Sequence, residues 1–285
     1  MKIICFDIGG TNIKYSIIED IDNDNIEVKN IETRVTKDDN YILEDVLKII
    51  GENTDVDAVG ISTAGVVNSN TGEVIFAGPT IPKYTGTKFR EVIEKKYGIQ
   101  TFVENDVNSA AFGEYCFSDY KGSMFMLTIG TGVGGSLILD GKVFSGASMT
   151  AGEIGYMPLN DGYFQDFSSA TYLTNYVSER LGKKVDGRYV FENAKKGDIL
   201  CNEAIDKMVY NLTTGLLNIL YMINPDNIVI GGGITAQGKY LEDKILEVLN
   251  KRVIGKQFNS NVKLANLKNS AGIYGIYNIV RKEMK

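Results

Sequence analysis

At 285 residues, 44% of them hydrophobic and 23% charged, the chain is long enough for a full core and has the balance of an ordinary globular protein; a prior of roughly 100–200 residues per domain gives two domains. The net charge of -6 and pI near 5.0 give no sign of the basic surface that a phosphate-backbone partner requires, so no nucleic acid is expected. There is no histidine, which excludes a His-ligated metal and a Ser-His triad and leaves a carboxylate, lysine, tyrosine or cysteine as any general base.

Cys5, Cys116 and Cys201 lie far apart and form no CxxC pair, which fits a reducing compartment and excludes a cysteine zinc site of the usual spacing. Four apolar residues between Lys2 and Asp7 are too few for a signal-peptide core. The apolar stretch around 216–223 is interrupted by Asn218 and falls short of the ~18 residues of a membrane span. A cytoplasmic protein with no membrane association is expected.

Apolar runs at 2–7 and 12–18, joined by Gly9-Gly10-Thr11, predict a β-hairpin whose glycines accept positive φ. A third strand is expected over 26–35, then a helix over 41–50 stopped by Gly51. A buried strand at 56–61 ends in Ser62-Thr63-Ala64-Gly65. After the loop Gly78-Pro79-Thr80-Ile81-Pro82, a helix over 88–97 carries Phe89, Val92, Ile93 and Tyr97 on one face and ends at Gly98. A strand at 101–103 follows, and Asp106 begins a helix over 107–115.

The pattern restarts at 123, where strands at 123–129 and 134–139 flank a second glycine turn, Gly130-Thr131-Gly132, and Asp140-Gly141 leads into a strand at 142–144. With Gly9 laid on Gly130, the apolar and glycine positions of 5–11 and 126–132 correspond, although Asp7 meets Thr128; this is a weak internal repeat. Helices at 171–181 and 202–223, a strand at 227–230, Gly231-Gly232-Gly233, a helix at 240–249, a strand at 262–265 and a helix at 273–282 complete the chain. Each half runs strand, strand, strand, helix, strand, helix. The expectation is an α/β protein of two domains, 1–120 and 121–285, packed face to face with a cleft between them and with the last helix available to pack back on the first domain.

Each candidate motif has a structural reading beside a chemical one. Asp7-Ile8-Gly9-Gly10-Thr11 is a hairpin turn, or a bare backbone that a polyphosphate approaches closely, with Asp7 holding Mg²⁺ through water. In Glu104-Asn105-Asp106, Asp106 is an N-cap, or the general base that takes the proton from an attacking alcohol during phosphoryl transfer. Gly231-Gly232-Gly233 is a loop before a helix, or close packing against a nucleoside. Gly152-Glu153-Ile154-Gly155 reads alone as a turn, and Tyr156, Tyr163 and Phe164 read as core.

Together, Asp7-Ile8-Gly9-Gly10-Thr11 with Lys14, Glu104-Asn105-Asp106, Gly130-Thr131-Gly132-Val133-Gly134-Gly135, Gly152-Glu153-Ile154-Gly155 and Gly231-Gly232-Gly233 resemble the ROK family of sugar kinases and repressors, within the actin/hexokinase superfamily, in motif order and over nearly the whole chain. The resemblance implies two ribonuclease-H-like domains closing over ATP and a hexose. It implies Asp106 as base toward the sugar 6-hydroxyl, Asn105 as a sugar ligand, Glu153 on hydroxyls near the anomeric end, and Gly65 lining the sugar site. Gly9, Gly10, Thr11 and Lys14, with Gly130, Thr131 and Gly132, resemble the phosphate loops, and Gly231, Gly232 and Gly233 the adenosine loop.

Two departures stand out. Tyr156 replaces a family histidine that touches sugar and ligates zinc, and 160–167 contains no cysteine, so no zinc is expected. Thr80 stands where the family often has an asparagine sugar contact. The chain is similar to zinc-free N-acetylmannosamine kinases, which makes that sugar the expected substrate, with glucose or a β-glucoside as alternatives and polyphosphate as an alternative donor. The rival of another class is a sugar-sensing regulator without catalysis. It is disfavoured because repressors of the family carry a DNA-binding helix-turn-helix ahead of the kinase-like part, whereas the first strand here starts at residue 2; an actin-like ATPase is a third reading. A homodimer is implied by resemblance.

Overall fold

In the computed structural model, residues 1–19 and 26–285 are described. The elements in chain order are β1 (Ile3–Ile8), β2 (Asn12–Ile18), β3 (Lys29–Glu32), α1 (Ile42–Gly51), β4 (Ala58–Thr63), β5 (Val66–Asn68), β6 (Glu73–Phe76), α2 (Phe89–Tyr97), β7 (Gln100–Asn105) and α3 (Asp106–Phe117). They continue with β8 (Met124–Ile129), β9 (Val133–Leu139), β10 (Lys142–Val143), β11 (Pro158–Leu159), β12 (Gly162–Tyr163), α4 (Phe164–Ser168), α5 (Ala170–Leu181), α6 (Gly187–Lys195), α7 (Ile199–Met222), β13 (Asn227–Gly231), α8 (Lys239–Arg252), β14 (Asn261–Leu264) and α9 (Ala271–Glu283). One compact unit comprises Met1–Asp119, Ser145–Thr150 and Asn269–Lys285, and the other Tyr120–Phe144 and Ala151–Lys268. Thus α9, the last helix of the chain, belongs to the first unit.

The first unit is built on a sheet of order β3-β2-β1-β4-β7, in which the hairpin pairings are antiparallel and β1-β4 and β4-β7 are parallel. Alternation along β1 explains its unbroken apolar run. Ile4, Phe6 and Ile8 join a core with Ile42, Val46 and Ile50 of α1 and Phe89 and Ile93 of α2. Ile3 and Cys5 point the other way, into a core with Ile273, Ile276, Tyr277 and Val280 of α9. A strand covered on both faces has no polar side to show.

The second unit repeats the plan with a sheet of order β10-β9-β8-β13-β14 and the same succession of antiparallel and parallel pairs. Its core runs from Phe125, Leu127 and Ile129 of β8 to Leu212, Leu216 and Leu220 of α7. The internal repeat is therefore far clearer in topology than in residues.

Helix α9 lies against α3 with almost no side chain between them. A methyl group on Gly275 would fall 1.7 Å from the Ser109 carbonyl oxygen, and one on Gly113 would fall 2.6 Å from the Ala271 carbonyl oxygen.

The structure also departs from sequence expectation in places. The third strand is trimmed to Lys29–Glu32. The long helix begins at Ile199 rather than 202, because the Asp198 side chain accepts the Cys201 N–H and caps it. Helix α6 and the short pairs β5-β6 and β11-β12 were not expected. Among the described residues, no helix is long and apolar enough to cross a membrane.

Candidate active site

In the first unit, sheet register carries the candidate residues to one edge. Asp7 of β1 stands beside Ser62 of β4, which stands beside Glu104 of β7; the next row is Ile8, Thr63 and Asn105. These are the carboxyl ends of the parallel strands, where open α/β sheets bind ligands. Ser62 Oγ donates to Asp7 Oδ1 at 3.1 Å, and Lys14 Nζ donates to Asp7 Oδ2 at 3.2 Å and to the Asn269 carbonyl at 3.2 Å. The Asp7 and Lys14 side chains are 19% and 32% exposed. An ion pair this open contributes about 0–1 kcal/mol, so its weight lies in presenting a cation-attracting and an anion-attracting group together. Among the described residues, no cluster of three or more His, Cys, Asp or Glu side chains could cage a metal ion. A lone carboxylate fits Mg²⁺ that keeps most of its waters and is held chiefly by a substrate's phosphates.

The turn from β7 into α3 is fixed by a small hydrogen-bond lattice. Asn105, not Asp106 as expected, is the N-cap, with Oδ1 accepting the N–H groups of Val107 at 2.9 Å and Asn108 at 3.0 Å. The reason is geometric: Asn105 holds the extended backbone (φ -61°, ψ 148°) that a cap needs, whereas Asp106 is already helical. Asn105 Nδ2 donates to the Gly65 carbonyl at 2.8 Å and to Asp106 Oδ1 at 3.0 Å. Val107 N–H also donates to Asp106 Oδ1, at 2.9 Å, so two donors orient the Asp106 carboxylate. Gly65 itself needs to be glycine, with φ +96° and a methyl position only 2.7 Å from the Phe76 carbonyl oxygen.

Below this turn, Glu104 is 6% exposed, and its Oε1 accepts Asn105 N–H at 2.8 Å and Asn108 Nδ2 at 3.0 Å. Burial pushes its pKa above the ordinary glutamate value of 4.5, against the lowering effect of those two bonds. Native Glu104 therefore binds its proton more tightly than the unfolded chain does. Its contribution to stability is full below pH 4.5 and is lost as pH rises through the native pKa. Glu104→Gln keeps an acceptor for both donors and has no charge to bury. Relative to wild type it should gain thermal stability progressively as pH rises above 4.5, in melts taken across that range; a difference independent of pH would contradict the assignment.

Tyr84 is buried with its hydroxyl hydrogen-bonded to Thr63 Oγ1. Burial raises its pKa, the Thr63 bond opposes, and the charge of Asp106 raises it further, which places this phenol in the Asp106 neighbourhood. Thr80 is exposed, next to the buried Ile81.

The two glycine turns are alike, each three residues long between strands. In the first, Thr33 ties down two of the three carbonyls: its Oγ1 donates to Gly9 O at 2.8 Å and its N–H to Thr11 O at 2.9 Å. In the second, the Gly130 carbonyl accepts Ala170 N–H from the start of α5 at 2.9 Å. Gly9 and Gly10 do not have the positive φ expected of them, and Gly130 and Gly132 do not have it either. A methyl on Gly10 would come no nearer than 3.9 Å to Ile81, and one on Gly130 would meet nothing within 4 Å. The fold thus makes no demand for glycine at 10 or 130, and the space a side chain would take at either position is open. Among the described residues, no acceptor takes the N–H of Gly10, Thr11, Thr131 or Gly132.

Gly10→Ala and Gly130→Ala should therefore stay within ~0.5 kcal/mol of wild-type stability yet raise the KM for a nucleotide triphosphate about tenfold or more, the cost of roughly one lost charge-assisted bond. Unchanged KM in both variants would contradict the phosphate reading of these turns.

Of the triplet, Gly232 has φ +87° and a methyl position 2.4 Å from the Ile129 carbonyl oxygen, so it locks this loop against the end of β8, beside Gly130. Gly231 is filled in by Met126, and Gly233 is open. Close packing also explains Gly152-Glu153-Ile154-Gly155. A methyl on Gly152 would lie 2.3 Å from Gly135 O, and one on Gly155 2.1 Å from Val133 O, so the turn is pressed onto β9 and Glu153 is held out from it. Glu153 is exposed, yet crowding by the chain raises its pKa through desolvation. Phe164 is buried as expected, but Tyr156 and Tyr163 are 56% and 51% exposed and not core. They pack against each other edge to face, 5.9 Å between centroids at 82°.

Sequence reasoning assigned no role to Ser62, Thr63, Thr33, Tyr84 or Asn108. The adjacent hydroxyl residues ending an apolar strand were the available signal for Ser62 and Thr63; Tyr84, brought in from a loop, had none.

The ROK family profile matches residues 3–283. The uncharacterized protein CPE0188 of Clostridium perfringens is 44% identical over 280 residues, 95% of each chain. A beta-glucoside kinase of Listeria innocua is 29% identical over 299 residues, 99% of each. Among solved structures, a candidate N-acetylmannosamine kinase from Listeria monocytogenes matches with TM-score 0.87 at 28% identity, covering 99% of this chain and 100% of that one. By a match that spans nearly its whole length, the chain belongs to the ROK family and has the α/β actin/hexokinase-type fold that the sequence resemblance implied.

Proposed function

We propose that this protein is a kinase that transfers the terminal phosphoryl group of ATP, with Mg²⁺, to the 6-hydroxyl of a hexose. The observation that carries the reading is the oriented Asp106 carboxylate at the carboxyl end of β7, in a chain whose glycine turns leave backbone N–H groups open to phosphate. The sugar oxygen attacks the terminal phosphorus, its proton passes to Asp106, and the bond between that phosphorus and the bridging oxygen breaks to release ADP. Lys14 and the N–H groups of 9–11 and 130–132 take up phosphate charge. Asp7 would receive the waters of Mg²⁺, which when bound neutralises the phosphate oxygens. The adenosine falls to 231–233.

Glu153, Gly65, Thr80, Tyr156 and Asn105 are the sugar contacts of this reading. Asn105 already uses both amide hydrogens within the fold, so its main service is to hold Asp106 in place. N-acetylmannosamine is the first sugar proposed, supported by the likeness to a structure of that description and by Tyr156 in place of a histidine. A β-glucoside is the second, supported by the full-length relative that bears that activity in its name. A homodimer in the cytoplasm belongs to the same reading.

The test is a coupled ADP-release screen over glucose, N-acetylmannosamine, N-acetylglucosamine, mannose, fructose and β-glucosides, with ATP and with polyphosphate as donor. Sugar-dependent ADP release is the expected result. Sugar binding without turnover would favour a regulator, and ADP release indifferent to sugar an actin-like ATPase.

A further inference from the structure

Two carbonyls at matching places in the internal repeat are held by donors from outside their turns. In the first unit, β3 pairs with β2 so that Glu32 lies beside Asn12. Thr33 carries that ladder one step further, its N–H donating to the Thr11 carbonyl at 2.9 Å. This sets Thr33 Oγ1 on the Gly9 carbonyl at 2.8 Å, with the residue only 7% exposed. In the second unit, the Gly130 carbonyl accepts the Ala170 N–H at 2.9 Å, and Gly130 is the residue that the repeat lays on Gly9.

A peptide unit is planar and trans, so its carbonyl and its N–H point opposite ways. Holding the Gly9 carbonyl therefore aims the Gly10 N–H away from Thr33, and holding the Gly130 carbonyl aims the Thr131 N–H away from Ala170. Gly10 and Thr131 are exposed, and among the described residues neither N–H has an acceptor. Glycine stands on both sides of the 9–10 peptide, which leaves it free to rotate unless something holds it. From these observations we infer that Thr33 is a positioning residue for the phosphates of ATP, and that the Ala170 N–H has the same part in the second turn. Each fixes one peptide in the orientation that presents its N–H to a phosphate oxygen, and neither touches the nucleotide. The inference rests on the kinase reading above and on its assignment of these turns to phosphate. A donor aimed in advance needs no reordering on binding, so a side chain buried behind the turn bears on affinity. The competing explanation is a buried hydroxyl that merely finds a partner; its loss would lower stability and leave nucleotide affinity alone.

The experiment is calorimetric Kd for MgATP and for adenosine, with melting temperatures, in wild type, Thr33→Val, Thr33→Ser, Gly10→Ala, the Thr33→Val and Gly10→Ala double variant, Ala170→Pro and Ala170→Ser. Thr33→Val keeps the shape and the backbone N–H and loses the hydroxyl. Proline at 170 removes only the donor, because the position is the first of α5, where proline is tolerated. Ser169 already has the extended backbone (φ -84°, ψ 165°) that a residue before proline needs. Thr33→Val and Ala170→Pro should each weaken MgATP binding about tenfold, the scale of one charge-assisted bond, and leave adenosine binding unchanged. Both serine variants should bind MgATP as wild type does. In the double variant the Thr33 effect should vanish, because Gly10→Ala already obstructs the N–H that Thr33 aims. Losses that add in the double variant, equal weakening of MgATP and adenosine, or a melting temperature that falls while the Kd for MgATP holds would each overturn the inference. Should Thr33→Val fail to fold, Ala170→Pro carries the test by the same outcomes. If Gly10→Ala weakens MgATP binding and Thr33→Val does not, the inference fails and the kinase reading stands, whereas a wild type that binds no MgATP removes both.

Discussion

Asp106→Asn should lower kcat by about 10²–10⁴-fold, the range of a lost general base, with KM for hexose and ATP changed only a few-fold. The replacement is close to isosteric and its Oδ1 still accepts Val107 N–H at the observed 2.9 Å separation, so the start of α3 should remain in place. What disappears is the ability to take up the hydroxyl proton as the phosphoryl group arrives. An interaction used only in the transition state lowers kcat and kcat/KM together, which separates this outcome from a binding defect. Near-full turnover in the variant would remove Asp106 from the mechanism. The neighbouring Asn105→Ala would be a poorer probe, because Asn105 caps α3 and binds Gly65, and its loss would mix a folding effect with a catalytic one.

Gly275→Ala should destabilise the first unit by about 3 kcal/mol, the upper end of overpacking costs. In an ordinary helix interior the same change stabilises by roughly 0.5–1 kcal/mol, so the sign of the result tests the crossing and not helix propensity. The added methyl would fall 1.7 Å from the Ser109 carbonyl oxygen, which no rotamer change can relieve, so α9 must lift away from α3. Gly113→Ala, with 2.6 Å to the Ala271 carbonyl oxygen, should act in the same direction and less severely. Denaturant midpoints of the two variants would measure this; a Gly275→Ala protein as stable as wild type would contradict the close contact. Gly272 also matters on this helix, since a methyl there would press on the Asp7 carboxylate at 2.5 Å. The helix that ends the chain thus bears on the opening strand and its acidic residue.

The strands of the two five-stranded sheets, the two glycine turns and the helices α1, α2, α3, α5, α7, α8 and α9 were legible in the sequence because each has the periodicity or punctuation that local physics imposes. The apolar run 2–7 reads as one arm of a hairpin and is strand β1, and Gly98, with φ +68°, ends α2 as its position in the sequence suggests. Helix α6 was missed because its buried residues Val190, Phe191 and Ala194 are few and lie in a strongly polar stretch. The short pairs β5-β6 and β11-β12 span two to four residues, too few to show alternation.

At the site, motif order pointed to Asp7, Asp106 and the glycine turns, but the roles inside each motif needed coordinates. The cap belongs to Asn105 and not to Asp106, a one-residue shift that frees the aspartate from its purely structural reading. The glycines of the first turn were expected to satisfy positive φ and do not, and Gly10 and Gly130 instead face open space where a side chain would stand. Gly152, Gly155 and Gly232 are the reverse case, glycines that the packing of β9 and β8 requires outright. Tyr156 and Tyr163 read on their own as core because aromatic side chains usually are, and their exposure corrects that reading.

Transfer of phosphorus to the sugar 6-oxygen is the step on which every assigned role depends. Phosphorus-proton correlation spectra of the product formed from ATP, Mg²⁺ and a turned-over hexose should show the phosphoryl group on the 6-oxygen, with one ADP released per ester and at least about 10²-fold slower product formation by Asp106→Asn under the same conditions. Phosphate freed to solvent with the sugar unmodified, or an ester formed equally well without the Asp106 carboxylate, would contradict it.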